Sequence, residues 1–363
     1  MSKQIAVVGG GVIGLSVAWR LACAGHRVRL IDPAPASGAS WVAGGMLAPV
    51  AEAGPGEEGL LELGSASLAS WPAFAATLTA EAEDPGLRTD GTVLAGLDAA
   101  DAAELEALAG YLDQLGRSVR RLSGRELRAL EPGLAPNVRS GLLVPGDLAV
   151  DNRLLLTSLR TAARRRGVEF LNASARAVRL GTVELTDGST VDIEITVIAA
   201  GAWSGSLHPA LAGLVRPVKG EILRLRGRSG ALPPPRRTVR GIVEGRPVYL
   251  VPRAGGELVL GATQYEAGFD TDVTVRGVRD LLADAERILP GIAEYALVEC
   301  AAGLRAGSRD NLPLIGWLEP GVLVATGHHR NGLLLAPVTA DAVAALVDGG
   351  THFAAAFEPE GAT

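Results

Sequence analysis

The stretch that decides the fold is IAVVGGGVIGLSVAWRLACAGHRVRLID, residues 5–32. Its first four residues form a short apolar run, which predicts a strand buried on both faces. Gly9, Gly11 and Gly14 follow with the spacing G-x-G-x-x-G. Over residues 12–24 apolar side chains recur at helical spacing, and the glycine after them is placed to end a helix. The stretch therefore predicts a strand, a glycine turn, a helix and a second strand.

Each glycine of this motif has a physical purpose at a phosphate-binding turn. Gly9 allows the chain to turn sharply out of the strand, Gly11 allows a pyrophosphate to approach the backbone, and Gly14 allows the helix to pack against the sheet. The helix N-terminus adds free N–H groups and a partial positive charge. Glycine is abundant, at 47 of 363 residues, so the spacing alone is a weak signal. The full context predicts a dinucleotide site, and the alternative is a structural turn without a ligand.

An acidic residue ends the second predicted strand, residues 28–31. Asp32 follows Gly14 by 18 residues, and at this position a carboxylate accepts hydrogen bonds from a ribose hydroxyl of the dinucleotide. Its negative charge would repel a 2′-phosphate group. The sequence therefore disfavours NADP as the ligand.

Composition excludes several classes of protein. With 34 basic and 40 acidic residues the net charge is −6, which gives no electrostatic footprint for nucleic acid or an anionic membrane. Cys23 and Cys300 are the only cysteines, so we expect no disulfide framework and no metal site, and we expect Cys23 to be buried in the first helix. No apolar run reaches the roughly 18 residues of a transmembrane helix. The prediction is a cytoplasmic protein without a membrane or nucleic-acid partner.

Two further stretches help to distinguish NAD from FAD. Residues 33–50 are rich in small side chains, which allow a backbone to lie flat against a planar ligand, although an ordinary linker would look the same. Later, a predicted strand at 322–326 leads through the polar loop 327–332 into a helix at 333–347. NAD would be expected on one contiguous domain, whereas several separated pieces of chain suggest a larger ligand. The pattern favours FAD.

At 363 residues the chain exceeds the usual span of a single core, so two domains are expected. The order of predicted elements indicates an α/β fold, with a Rossmann-like FAD-binding domain and a second, antiparallel-sheet substrate domain. We predict a discontinuous FAD-binding domain at residues 1–85, 145–215 and 300–363. The substrate domain is predicted at residues 86–144 and 216–299.

Five segments of the chain resemble the FAD-dependent amine oxidases of the D-amino-acid oxidase superfamily, and within it the glycine oxidase group. They are VVGGGVIGLSVAWRL (7–21), AGGMLAP (43–49), VIAAGAWS (197–204), GLRAGSRDNLPLIG (303–316) and GHHRNGLLLAP (327–337). The resemblance covers essentially the whole chain. Its most specific motif is HRNG near the C-terminus, because the glycine motif is shared with many flavoproteins.

The resemblance implies which residues hold FAD. Val12 and Ile13 would contact the pyrophosphate through the backbone, Asp32 the adenosine ribose, and Arg176 the adenine, also through its backbone. The loop 328–334 would lie at the pyrimidine edge of the flavin, where the following helix stabilises negative charge. The full predicted set is Gly9, Gly11, Val12, Ile13, Gly14, Asp32, Pro33, Ala39, Ser40, Gly44, Gly45, Met46, Arg176, Gly201, His328, His329, Arg330, Asn331, Gly332, Leu333 and Leu334.

The resemblance also implies how an amino-acid substrate would bind. Arg305 corresponds to the carboxylate-binding arginine of the family, and a guanidinium makes two parallel hydrogen bonds to a carboxylate. Tyr249 matches the tyrosine that assists at that carboxylate, and Arg330 lies near enough to help. Gln264 stands where glycine oxidases often carry Met, so glycine, sarcosine and small D-amino acids are all open. From the sequence alone, Arg305 could equally be a surface charge.

The implied chemistry is oxidative deamination. Hydride leaves Cα of a neutral amine for N5 of the flavin, the imine hydrolyses, and O₂ takes the electrons as H₂O₂. Glycine would give glyoxylate and ammonia, in the service of thiamine (thiazole) biosynthesis. Because the step needs alignment more than a base, no catalytic side chain is predicted, and His328 and His329 are expected to pack or to contact the flavin. The resemblance further implies a homo-oligomer, a tetramer.

Two alternatives stay open at this point. A D-amino-acid dehydrogenase of the same superfamily would pass its electrons to a quinone and consume little O₂. A binding or regulatory module would keep the fold without turnover, and Arg305 would then face away from any flavin.

Overall fold

The computed structural model describes residues 1–355. Its α-helices are α1 (Val12–Cys23), α2 (Gly38–Val42), α3 (Glu58–Glu81), α4 (Ala99–Gln114), α5 (Gly124–Leu130), α6 (Asn152–Arg165), α7 (Val275–Ile288) and α8 (Gly332–Val347). Its strands are β1 (Gln4–Val8), β2 (Arg27–Ile31), β3 (Met46–Leu47), β4 (Thr92–Gly96), β5 (Arg120–Ser123), β6 (Ser140–Val144), β7 (Leu148–Ala149), β8 (Glu169–Leu171), β9 (Ala175–Arg179), β10 (Thr182–Leu185), β11 (Thr190–Asp192), β12 (Ile195–Ile198), β13 (Arg216–Arg226), β14 (Thr238–Val243), β15 (Arg246–Pro252), β16 (Glu257–Gly261), β17 (Ala296–Gly307), β18 (Leu314–Glu319) and β19 (Val322–Thr326).

The first large sheet, called the Rossmann-like sheet below, has the strand order β18-β19-β12-β1-β2-β8. All neighbouring strands in it are parallel except the pair β18 and β19. The predicted unit of strand, glycine turn, helix and strand forms its centre, because the apolar residues of β1 are buried on both faces. Helices α1, α6 and α8 contribute to the core on one face, and the small sheet of β9, β10 and β11 covers the other.

The most apolar helix of the chain lies inside this core. The prediction that no apolar run reaches the length of a transmembrane helix is wrong for one stretch, because His329–Val347 has the length and hydropathy of a membrane span; about two thirds of it is buried inside the protein. It packs against α1 and α3, and Leu335, Ala336 and Val343 have no exposed surface. The helix is apolar on all sides because other elements surround it.

The second large sheet, called the mixed sheet below, has the order β17-β13-β16-β15-β14-β4-β6-β5. Its neighbours are antiparallel except the parallel pair β14 and β4. Helix α7 packs against it and shares the apolar core of Leu223, Leu258 and Ile288. The α/β fold class with a Rossmann-like sheet and a second, largely antiparallel sheet is confirmed.

Strand β17 crosses one of the domain boundaries that we predict. It pairs with β13 along its whole length, from Ala296 to Gly307, whereas the predicted boundary lies at residue 300. The division of the chain into two domains stays a prediction. Of its last segment, residues 356–363 lie outside the described part of the chain.

The prediction that Cys23 is buried is wrong. Cys23 is exposed at the end of α1. It follows Arg20 by three residues, which places both side chains on the same, outer side of the helix. The buried residues of α1 stop at Leu21.

Candidate active site

A cavity of about 660 Å³ lies where the two large sheets meet. One wall contains the carboxyl ends of β1, β12 and β19, which is where ligands bind to open α/β sheets. The other wall contains residues of β13, β15 and β17 from the mixed sheet. The N-terminus of α8 and the segment around α2 complete the lining. The volume is within the range of small-molecule and cofactor sites.

The glycine turn after β1 depends on the absence of side chains. Gly9 has a φ of +110°, and a Cβ there would lie 2.3 Å from the carbonyl oxygen of Ala199. A Cβ on Gly14 would lie 1.9 Å from the carbonyl oxygen of Gly9. Gly9 therefore lets the turn pass the end of β12, and Gly14 lets α1 pack on the turn without itself lining the cavity.

The N-terminus of α1 points into this end of the cavity. Ser40 accepts a hydrogen bond at its Oγ from the backbone N–H of Val12, at 3.0 Å. Asp32 lines the cavity and accepts hydrogen bonds from the N–H groups of Gly10 and Ala34, at 2.6 and 2.7 Å. The carboxylate of Asp32 thus holds the turn in shape, and its edge is available to a ligand.

The segment Gly44, Gly45 and Met46 forms a close-packed part of the lining. A Cβ on Gly44 would lie 2.7 Å from the ring of Tyr249. Gly45 has a φ of +81°, and its Cβ would lie 2.2 Å from the carbonyl oxygen of Val150. Both glycines line the cavity and carry no side chain, so a flat ligand can lie directly against the backbone there.

Arg305 lies on β17 with its guanidinium directly over Gly220 of β13, where a Cβ would be 2.3 Å from Nη1. Its Nη1 donates to the carbonyl oxygen of Thr263 at 3.2 Å. Within residues 1–355 no carboxylate approaches the Arg305 guanidinium to within 4.0 Å, and burial lowers its pKa. Tyr249 also lines the cavity, and burial raises the pKa of its phenol. The site therefore offers a guanidinium whose charge has no protein partner in the described chain.

Arg330 lines the same cavity but is already paired. Its Nη2 donates to Oε2 of Glu57 at 2.6 Å, and its Nε lies 3.7 Å from Oε2 of Glu52. Arg240 forms a further ion pair with Glu52. Arg330 consequently has less free charge for a bound carboxylate than Arg305 has.

The two histidines before α8 are neutral at pH 7. His328 is buried, its Nε2 lies 3.0 Å from Oγ1 of Thr339, and burial lowers its pKa to about 3. His329 lines the cavity with a φ of +46°, and burial, reinforced by the charges of Arg305 and Arg330, lowers its pKa to about 4. Both ring nitrogens of His329 are buried without a hydrogen-bond partner in the described chain. Neither imidazole is basic enough to take a proton at neutral pH.

Most residues predicted for the site come together around this one cavity. Those that line it are Gly9, Gly11, Val12, Ile13, Asp32, Pro33, Ala39, Ser40, Gly44, Gly45, Met46, Gly201, Tyr249, Gln264, Arg305, His328, His329, Arg330, Gly332 and Leu333. Glu52 and Arg240 also line the cavity but were not predicted, because they carry no local signal in the sequence.

Besides Gly14, three predicted residues lie off the cavity. The Arg176 side chain points outward and pairs with Glu184 at 2.7 Å, and Ser174 and Ala175 line the cavity in its place. Leu334 points away, and its carbonyl oxygen accepts hydrogen bonds from Ser67 and Trp71. Asn331 is buried in the 3-10 turn before α8. The last two diverge because successive residues at a helix start point to different sides.

The sequence profile of the DAO family, described as FAD dependent oxidoreductase, matches residues 4–346. The chain belongs to this family. It is 35% identical over 357 residues to a glycine oxidase of Geobacillus kaustophilus, over 95% of this chain and 93% of that protein. The crystal structure of glycine oxidase from Geobacillus kaustophilus aligns with a TM-score of 0.88 at 33% identity, covering 99% and 97% of the two chains.

A second group of relatives is longer than this FAD-dependent oxidoreductase. The chain is 33% identical to the bifunctional protein ThiO/ThiG of Synechocystis sp., over 95% of this chain but only 52% of that protein. The chain therefore spans about half the length of these bifunctional relatives.

The residues of the cavity fit FAD, the cofactor of the family. The glycine turn and the N-terminus of α1 suit a pyrophosphate, and the side-chain-free surface at Gly44 and Gly45 suits a flat ring. The N-terminus of α8, at Gly332 and Leu333, reaches the cavity and can stabilise negative charge. The expectation of FAD as cofactor is confirmed by the family membership.

Proposed function

We propose that this chain catalyses the FAD-dependent oxidative deamination of glycine and related small amines, such as sarcosine and small D-amino acids. In the balanced reaction, glycine, O₂ and H₂O give glyoxylate, ammonia and H₂O₂. The observation that carries the proposal is Arg305, a cavity-lining guanidinium without a carboxylate partner in the described chain. The glycine oxidase relatives and their solved structures support the same substrate class.

The polar groups of the cavity suit an α-amino acid. The guanidinium of Arg305 would hold the carboxylate, and the Tyr249 phenol would lie against the same end of the substrate. Bound FAD supplies the two-electron acceptor for the hydride from Cα. Gln264 lines the same cavity and would contact the substituent on nitrogen or Cα.

The electrostatics favour the neutral amine that hydride loss requires. Arg305 and Arg330 line the cavity, and both histidines are uncharged near pH 7. A positive potential destabilises an ammonium group next to it and lowers its pKa. In our proposal His329 contacts the flavin or the substrate as a neutral ring and is not a base.

Two sets of relatives bear on the biological setting and the substrate range. Proteins named ThiO, including a putative thiamine biosynthesis oxidoreductase of Rhizobium etli that is 34% identical, support a role in thiamine (thiazole) biosynthesis. An iminodiacetate oxidase of Chelativorans sp. aligns with a TM-score of 0.85 at 26% identity. Its substrate is an N-substituted glycine, which supports including sarcosine.

Anaerobic reduction of the bound flavin tests the proposal. Purified protein loaded with FAD is mixed with glycine, sarcosine, D-alanine or L-alanine, and the flavin absorbance is followed. We expect bleaching with glycine or sarcosine and none with L-alanine. If none of the first three amines bleaches the flavin, the proposed substrate class is wrong. An oxygen electrode with the same amines separates an oxidase from a dehydrogenase that uses a quinone.

We further propose that the members of the predicted FAD-binding set that line the cavity hold FAD. The two-domain division, a cytoplasmic location and a homo-oligomer are also proposed, with a tetramer as the specific expectation from the family. Arg176 would take part through its backbone only, since its side chain pairs with Glu184. Light scattering on a sizing column tests the oligomer: a mass of four chains supports the tetramer, and a mass of one chain rejects any oligomer.

A further inference from the structure

A buried side-chain amide anchors the backbone around α2 from a position outside the cavity lining. Asn152, the first residue of α6, has no exposed surface. Its Nδ2 donates to the carbonyl oxygens of Ser40 at 2.9 Å and Trp41 at 2.8 Å. A single helical turn such as α2 leaves such carbonyls without helical partners, so a side chain must satisfy them. Asn152 thus fixes the backbone that presents Ser40 to the N-terminus of α1.

A buried guanidinium fixes the next part of the same segment. Arg253 is 5% exposed, and its Nη2 donates to the carbonyl oxygen of Gly44 at 2.6 Å. A Cβ on Gly45 would lie 2.5 Å from this Nη2, so the guanidinium lies directly against the backbone. The other side of that backbone faces Tyr249 and the cavity.

The two anchors are joined to each other. Oδ1 of Asn152 accepts from Nη2 of Arg224 at 3.1 Å and from Nη2 of Arg253 at 3.4 Å. Asp151 supplies a carboxylate 3.5 Å from Nε of Arg253. Asn152 and Arg253 do not line the cavity. Their polar groups are therefore directed at the backbone of one segment and at each other.

We propose that Asn152 and Arg253 are positioning residues for FAD, which act by holding residues 40–46 in the shape that the cofactor requires. They touch neither FAD nor the substrate. The inference rests on FAD occupying the cavity, as family membership indicates, and is independent of which amine is oxidised. Its test therefore uses FAD binding and does not depend on the proposed substrate.

Two conservative variants test the proposal. Asn152→Asp keeps the acceptor for Arg224 and Arg253 but replaces both N–H donors by an oxygen that repels the carbonyls of Ser40 and Trp41. Arg253→Lys keeps the charge but loses the fork that reaches Gly44. Each loses charged or buried hydrogen bonds, so we expect the Kd of the apoprotein for FAD, measured by fluorescence quenching, to rise about ten- to hundredfold.

A matched control is Arg128→Met. Nη1 of Arg128 donates to the carbonyl oxygens of Pro136 and Val138, both at 3.0 Å, away from the cavity. We expect this variant to bind FAD within about twofold of the parent. Melting of each apoprotein shows whether it is folded, and visible circular dichroism at saturating FAD reports the surroundings of the ring.

The results separate the proposal from a merely structural role. Weaker FAD binding and altered flavin dichroism in Asn152→Asp and Arg253→Lys, with folded apoproteins and an unchanged control, support it. Parental FAD affinity in either variant overturns it. An equal loss of affinity in Arg128→Met also overturns it, because general destabilisation would then explain the effect.

Discussion

Arg305 differs from the paired arginines of the cavity, since Arg240 and Arg330 both contact glutamates. We predict that Arg305→Met raises the KM for glycine about a hundredfold or more, because a desolvated charge pair with the carboxylate is lost. The FAD content should stay unchanged, since in our proposal this guanidinium binds the substrate and not the cofactor. Steady-state kinetics and the flavin absorbance of the purified variant measure the two quantities.

Arg309→Met is the control for this prediction. Arg309 is exposed in the loop that follows β17, so its removal should leave the KM for glycine unchanged. An unchanged KM in Arg305→Met would contradict the assignment of the substrate carboxylate to Arg305.

The buried imidazole of His328 makes stability depend on pH. Its pKa is about 3 in the folded protein against an ordinary value of 6.5. Between these values the unfolded chain binds the extra proton, so stability falls as the pH decreases below 6.5. From pH 7 to pH 5 we predict that the unfolding free energy of the parent falls about 2 kcal/mol more than that of His328→Gln. Urea unfolding of both proteins at both pH values measures the difference. If the unfolding free energy of the parent and of His328→Gln falls by the same amount, His328 is not a buried neutral imidazole.

The site residues that could be predicted from the sequence are ones whose side chains face the cavity. Arg305 stands in a segment whose likeness to the family is visible, Tyr249 and Gln264 were each matched to a position of the family, and all three line the cavity. Asn152 and Arg253 gave no such signal, because they bond to backbone carbonyls that lie more than a hundred residues away in the chain. Contacts of this kind follow from the tertiary fold and not from local spacing.

At the scale of elements, the turn between β1 and α1 tolerates no side chain. Gly9→Ala places a Cβ 2.3 Å from the carbonyl of Ala199 in a left-handed backbone region. We predict that it lowers the unfolding free energy by about 2 kcal/mol or more and weakens FAD binding. Denaturant unfolding and FAD titration measure the two effects.

Gly110→Ala provides the matched glycine. Gly110 lies inside α4, and a Cβ there meets nothing within 4 Å. Helix propensity should stabilise this variant by about 0.5–1 kcal/mol, with FAD binding unchanged. If Gly110→Ala is less stable than the parent, or Gly9→Ala as stable as the parent, contact between the added Cβ and its neighbours does not determine the stability of these variants.

The local patterns predicted β1, α1, β2, β19 and α8 to within a few residues, whereas β14 and β17 were missed. Strand β17 contains alanine and glycine and is largely half-exposed, so neither composition nor alternation indicates a strand. Its stability comes from the ladder with β13, which spans eleven residues of β13. Strand β14 has a glycine in its middle, which weakens the pattern in the same way.

At the scale of the whole molecule, both sheets contribute to one cavity, so the cofactor should stabilise the entire chain. FAD at a hundred times its Kd should add about 2.7 kcal/mol to the unfolding free energy of the apoprotein. We predict a rise in Tm of a few degrees and one shared transition. Differential scanning calorimetry with FAD, and with riboflavin as the ligand lacking the adenine half, measures it. A Tm independent of FAD would contradict binding in this cavity.

The overall arrangement could be anticipated only in part. A second unit of strand, loop and helix after β18 indicated that the Rossmann-like sheet returns late in the chain, and β19 does join it next to β12. The mixed sheet could not be assembled from the sequence, because pairing of β4 with β14 joins residues about 146 positions apart. The residue pattern of a strand does not indicate which distant strand it pairs with.

Gly220 carries no functional group, yet the Arg305 guanidinium lies where its Cβ would be. A single methyl added at this position would push that cation out of place. Substitution of Gly220 can therefore change the substrate that the cavity accepts, although every polar residue of the cavity stays the same.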